Sequence, residues 1–245
     1  MSAQSPKNIF RRTLWFERKL TFETGFFDVL QPQRDVRTQG RYKSGVYYSE
    51  KCSRYIQYES KLELQFITDQ LEKNPSVVFY WEQPVRIPYW RGKVKAKYIP
   101  DFGVFLKSGH FVIVEVKSME EMLTHRVQAK TEGLMDFCSR RGFGLLLTDG
   151  KHTPADLLKG TVNRKLEKEI SLIITTRPIR ESEYKEIKTR SNATPSQFYR
   201  AIIRLDLKFA TRSFKLQRGN QSPVFRQVYF EKKKFDELTG LFSGI

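Results

Sequence analysis

Cysteine and histidine are scarce in this chain. Two cysteines, Cys52 and Cys138, stand among 245 residues, too few for a disulfide framework in a protein of this size. With only three histidines (His110, His125 and His152) beside them, no zinc-binding spacing is met, so any metal would be held by oxygen. Long apolar runs are lacking too. None approaches the roughly 18 residues of a spanning helix, and neither end carries a lipidation signal. The opening residues, MSAQSPKNIFRRTLWF, have no apolar secretory core. A cytoplasmic location is the expectation, with no membrane partner.

Acidic side chains are also in short supply. There are 27 Asp and Glu against 44 Lys and Arg, a formal net charge of +17 with a pI near 9.9. Such a balance reports on partners rather than on fold, and with a membrane set aside it favours nucleic acid. The excess is uneven: residues 151–245 hold 20 basic against 10 acidic side chains, which is +10 of the total. A single run such as Lys232-Lys233-Lys234 reads as a solvated face. A whole segment at that charge reads as a surface for a polyanion.

What is present divides into two stretches. Residues 1–50 show no sustained helical period and read as an irregular, partly stranded arm. YESKLELQFITDQLE (58–72) places Leu62, Phe66 and Ile67 on one side of a helix. SVVFYW (76–81), VRIPYW (85–90), VKAKYIP and FGVFL follow as strands of a four- or five-stranded sheet. A second helix over 121–141 carries Met122, Val127, Leu134, Met135 and Cys138, and GLLLTDG (144–150) is a short buried strand closed by a turn. This order predicts an α/β core of about 100 residues. The domain boundary is placed at residue 168. Behind it, ESEYKEIKTR and TPSQFYRAIIRLDLKF are two helices, the second capped by Thr194 with Pro195 at its first position. RSFKLQ and FRQVYF, joined by RGNQSPV, read as a hairpin, which would make 169–245 a basic winged-helix-like domain. Phe198, Ile202 and Leu205 form the second helix's apolar stripe. Arg200, Arg204 and Lys208 recur at four-residue intervals along another face, a candidate DNA-binding row.

The chemistry concentrates in YIPDFGVFLKSGHFVIVEVK (98–117). A two-residue turn at Ser108-Gly109 would turn Asp101 away from Glu115, by the alternation of a strand. A three-residue loop, Lys107-Ser108-Gly109 with Gly109 left-handed, puts Asp101 opposite Glu115. Like charges roughly 5 Å apart repel unless something positive sits between them. A divalent cation held by the carboxylates and the Val116 carbonyl would serve, magnesium or manganese rather than calcium. Lys117, two residues from Glu115, shares its face. Acids, cation and lysine together suit hydrolysis of a phosphate ester. Glu63 is the fourth candidate ligand, although Ser60-Lys-Leu-Glu63 equally matches a helix capping box.

The string PDF (100–102) followed by VEVK (114–117) resembles the PD-(D/E)xK nucleases. More narrowly, GVYYSEKCSRYIQYESKLELQFITDQLEKNPSVVFYWEQPVRIPYWRGKVKAKYIPDFGV, then FVIVEVK and a helix leading into GFGLLLTDG, is similar in order and spacing to TnsA-type endonucleases of heteromeric transposases, over about residues 40–150. That resemblance implies a restriction-endonuclease-like domain (1–168) with Glu63, Asp101, Glu115 and Lys117 as active-site residues and Mg2+ as cofactor, for which Mn2+ substitutes. It implies a bacterial enzyme that hydrolyses the strands at the 5′ ends of a mobile element. It further implies double-stranded transposon-end DNA, a DDE-type recombinase subunit and an ATP-dependent regulator as partners. Gln83, Gln128 and Lys130 are site-proximal candidates, each also readable as an ordinary surface side chain. The competing functions are a free-standing restriction or repair nuclease and a non-catalytic DNA-binding adaptor.

Overall fold

The α/β pattern is realised in a computed structural model that describes residues 8–16, 30, 32, 44–219 and 221–230. The Lys232-Lys233-Lys234 run lies outside the described residues. The rest divides into two compact units, one of 8–118 with 133–153 and one of 119–132 with 154–230. The boundary expected at residue 168 falls inside a helix of the second unit, Arg164–Ile174.

In the first unit a short 3-10 turn at Ile9–Arg12 and an isolated bridge from Leu14 to Leu145 precede the hairpin of β1 (Gly45–Ser49) and β2 (Arg54–Tyr58). Helix α1 (Lys61–Phe66) runs on as a π-helical stretch, Ile67–Glu72. The sequence pattern put its start at Tyr58, yet Tyr58 is still paired to Gly45 in β2 and Ser60 is the N-cap. Phe66, Ile67 and Leu71 turn inward, with Leu62 packed against the same core.

Next come β3 (Val77–Glu82), β4 (Ile87–Arg91), β5 (Val94–Tyr98), β6 (Phe102–Leu106), β7 (Phe111–Val116) and β8 (Gly144–Thr148). The sheet has the order β3-β6-β7-β8, antiparallel except for the parallel pair β7–β8. A parallel neighbour requires a long crossover. Helices α2 (Met119–Met122) and α3 (His125–Arg141) supply it. All six residues of β7 are buried, as a central strand covered on both faces demands. A mixed sheet flanked by helices fits the nuclease-like core.

Hairpin β4–β5 stands outside that sheet as a separate two-stranded ribbon. Gly133 in α3 is explained by it. A Cβ added at Gly133 would lie 2.6 Å from Tyr89 Cβ, so only glycine lets the ribbon come so close. Gly133→Ala is therefore expected to lower the melting temperature, although alanine is the better helix former by about 1 kcal/mol. Phe66 stacks on Phe102 with ring centroids 5.8 Å apart. Phe66→Ala should cost about 3–5 kcal/mol in urea unfolding.

The second unit contains α4 (Arg164–Ile174), β9 (Ile179–Arg180), α5 (Glu181–Arg190), α6 (Pro195–Arg204), β10 (Leu207–Ala210), β11 (Lys215–Arg218) and α7 (Pro223–Tyr229). Its sheet has the order β10-β11-β9. Leu166, Ile170, Ile187, Phe198, Ile202, Phe209 and Leu216 are among its buried apolar side chains. Thr194 caps α6 in a full capping box with Gln197, and Pro195 opens it.

Two expectations are corrected here. The hairpin lies one segment earlier than the sequence suggested: Leu207–Ala210 pairs with Lys215–Arg218, and FRQVY is helical. Ser222 caps that helix and Pro223 begins it, and Phe225 and Tyr229 meet one turn apart at 4.8 Å. Lys208 is not on the helix of Arg200 and Arg204. The helix stops at Arg204, Asp206 turns left-handed at φ 53°, and Lys208 is an exposed residue of β10.

Candidate active site

The loop between β6 and β7 decides which acids meet. Gly109 has φ 79°, its N–H reaches the Leu106 carbonyl at 2.9 Å, and Leu106 N–H donates to the His110 carbonyl at 2.9 Å. This is the three-residue loop, with Phe102 opposite Val114. Continuing that register by one step sets Asp101 across from Glu115.

Lys117 closes the pair. Its ammonium lies 3.0 Å from Asp101 Oδ2 and 2.7 Å from Glu115 Oε1, and it donates to the Val116 carbonyl at 2.8 Å. Asp101 Oδ2 also accepts the Val116 N–H at 2.7 Å. The other oxygen of Glu115, Oε2, is buried and has no hydrogen-bond partner. That is an unusual state for a carboxylate in a residue only 1% exposed, since an unmet buried acceptor forfeits its hydration.

The electrostatics follow from this crowding. Burial, then the charge of Asp101, pushes the Glu115 carboxyl up to about 7, against the opposing pull of Lys117. Burial alone would lower Lys117, but Asp101 and Glu115 outweigh it and hold its ammonium well above the ordinary lysine value. The lysine is thus a fixed positive charge.

Glu63 sits at the start of α1. Its carboxylate accepts from Glu59 N–H at 2.8 Å and from Ser60 Oγ at 2.9 Å, while its own N–H donates to Ser60 Oγ at 3.1 Å. Those bonds are the helix-capping role. The same carboxyl is nevertheless pushed to about 7, by burial and then by Asp101, with Lys117 among the groups opposing the rise. Capping and proximity to the acid pair coexist in one residue.

Two further residues complete the site. The Tyr98 hydroxyl donates to Glu115 Oε1, and burial, then Glu115 and Asp101, drives the phenol far above its usual range. Sequence reasoning did not single it out. The signal was the alternation in VKAKY, where Lys95 and Lys97 point one way and Ala96 and Tyr98 the other. Gln83 is buried rather than a surface amide. It is left-handed at φ 49°, its N–H holds the Asp101 carbonyl at 2.8 Å and its amide reaches Glu59 at 3.3 Å. A β-branched side chain resists that conformation, so Gln83→Val should destabilise the protein by about 1–3 kcal/mol, read as a lower urea midpoint.

The remaining candidates are engaged elsewhere. Gln128 is fully buried in the second unit, donating to the Leu123 carbonyl at 3.2 Å and accepting Ser222 N–H at 3.1 Å. It is a structural amide, not a surface one. Lys130 is half-buried on α3. Arg204 pairs with Glu167 at 2.7 Å and Arg200 donates to the Gly160 carbonyl, so both arginines of the proposed row are held by their own unit.

Residues 74–149 match the family model described as TnsA-like endonuclease N terminal. No curated protein matches the chain. The matched segment contains Gln83, Tyr98, Asp101, Glu115 and Lys117 and leaves out Glu63 and α4 to α7. Over residues 74–149, less than half of the chain, the sequence is thus similar to the N-terminal domain of TnsA-like endonucleases.

Proposed function

We propose that the chain is the DNA-cutting subunit of a heteromeric transposase, hydrolysing one phosphodiester at each 5′ end of a mobile element. The observation that carries this reading is the ammonium of Lys117 held between Asp101 and Glu115 inside a TnsA-like segment. The partners that go with it are transposon-end DNA, a DDE-type recombinase and an ATP-dependent regulator. The second unit, with its order of helix, strand, two helices and hairpin, is read as a winged-helix-like module of that subunit.

Magnesium is the proposed cofactor. Among the described residues no three His, Cys, Asp or Glu side chains are arranged to hold a metal ion, and the Lys117 ammonium lies between Asp101 and Glu115. The donors themselves fit: Asp101, Glu115, Glu63 and the Val116 carbonyl are hard oxygens, and Glu115 Oε2 is an unmet buried acceptor. A bound dication would supply Lewis-acid polarisation of the scissile phosphate and of water. To admit it, the ammonium must release at least one carboxylate.

The chain's own groups then have separate tasks. Lys117, freed from an acid but still charged, offsets negative charge developing on the phosphate and orients the attacking water. Tyr98 donates to the same Glu115 oxygen that Lys117 meets and so helps fix that rotamer. Gln83 holds the backbone at Asp101, and Glu63 adds a third carboxylate whose charge is felt by Asp101. The test is a labelled duplex carrying a transposon end, incubated in magnesium with the recombinase. A cut in the 5′ strand that disappears with Asp101→Asn supports the reading. Cutting confined to the 3′ strand, or unaffected by Asp101→Asn, removes it.

A further inference from the structure

Hairpin β4–β5 has two faces of different chemistry. Ile87 and Tyr89 are buried on its inner face, where Tyr89 and Tyr98 meet edge to face at 6.3 Å. Tyr98 ends that face on Glu115. The outer face presents the opposite set, because Trp90 pairs with Lys95 and Pro88 with Lys97. Trp90 is 49% exposed, and Lys95 and Lys97 are exposed beside it, with exposed Lys93 at the tip. The tip is the two-residue turn Gly92-Lys93, with Gly92 at φ 62° as a II′ hairpin requires at its first position.

None of the three lysines has an acidic partner among the described residues. An exposed tryptophan on a ribbon lined with unpaired cations is costly to leave in water and suited to a polyanion with apolar sugar edges. Alternate residues on a strand are about 6.7 Å apart, about two steps of the roughly 3.4 Å axial rise per phosphate of one strand of a duplex. The ribbon's inner end is fixed to the acid cluster within the same unit, so its lysines hold a set distance from the reacting centre.

We infer that the outer face of β4–β5 is a clamp for the phosphate backbone of the duplex being cut, with Lys93, Lys95 and Lys97 on phosphates and Trp90 against the sugars. The inference rests on the nuclease reading and adds the element that seats its substrate. An acidic protein surface is the alternative occupant, and the test separates the two.

The measurement is fluorescence anisotropy of a 30-base-pair labelled duplex with the full chain, without divalent cation, over a series of KCl concentrations. The variants are Lys93→Gln/Lys95→Gln/Lys97→Gln and Trp90→Ala, each checked for an unchanged melting curve. The slope of log K against log salt should shrink by about 0.9 for each phosphate that is no longer neutralised, hence by up to about 2.7 in the triple variant. Trp90→Ala should weaken binding with the slope retained. Affinity and slope equal to wild type would overturn the inference, including the case where the triple variant binds DNA normally yet fails only with the recombinase present, which would assign the face to a protein. Nicking of a plasmid carrying a transposon end, in magnesium with the recombinase present and scored on the 5′ strand, keeps the two readings apart. Wild-type nicking with unaltered DNA binding in the variants sinks the clamp alone, and a reduced slope without nicking in any sample sinks the nuclease alone.

Discussion

Lys117→Met is expected to lose at least about 10²–10³ in cleavage rate, the typical cost of removing one preorganised electrostatic donor. It should also lower stability. In the wild type one ammonium meets Asp101 at 3.0 Å and Glu115 at 2.7 Å, and breaking a buried pair by deleting one partner costs about 3–5 kcal/mol. Two features distinguish this from loss of packing. Acid should rescue part of the stability, because protonating Glu115 removes the stranded charge. Magnesium should stabilise Lys117→Met more than wild type, because the cation no longer competes with the ammonium. Asp101→Asn is the companion variant, keeping shape and an acceptor for the Val116 N–H while removing charge. Urea titrations at pH 5.5 and 8, with and without magnesium, check each point. Equal destabilisation under all four conditions would mean that Lys117 acts by packing.

The second large effect is the pH dependence of the metal-free protein. Glu63 and Glu115 are each raised from an ordinary value of 4.5 to about 7. Between those values the native state holds protons that the unfolded chain has released, so stability falls as pH rises through this window and levels off above about 7. Lys117 does not oppose this trend. Its value is raised from 10.5, so its contribution is complete below the unfolded value and is lost only in strong alkali. Magnesium competes with protons for the same oxygens, so the increase in melting temperature that it gives should grow from pH 6 to pH 8. Melts in EDTA and in magnesium across that range measure it, and a pH-independent increment would contradict metal binding at these acids.

How much of this was legible depended on how local the signal was. Gly109 and strand alternation sufficed to pose the right alternative for the loop, and the structure places Asp101 across from Glu115. The capping pattern at Ser60 and Glu63 was equally readable, as were Thr194 and Pro195 at the start of α6. The failures came from reading composition over caps. FRQVYF is aromatic and β-branched, but Ser222 and Pro223 before it are helix-start signals, and tertiary context followed them. The row of Arg200, Arg204 and Lys208 required a helix longer than the one that formed, and its arginines bond to Gly160 and Glu167 of their own unit. The role of Tyr98 depends on a ribbon leaving the sheet, which no short-range pattern specifies.

Nicking of the 5′ strand at a transposon end on supercoiled plasmid, by the purified chain with the proposed recombinase partner in magnesium, tests the central claim most directly, with Lys117→Met and Asp101→Asn beside wild type. Nicks made by wild type, absent in both variants and abolished by EDTA, are the predicted result. Nicking that persists in either variant, or that survives chelation, would contradict the assignment of the cut to these residues.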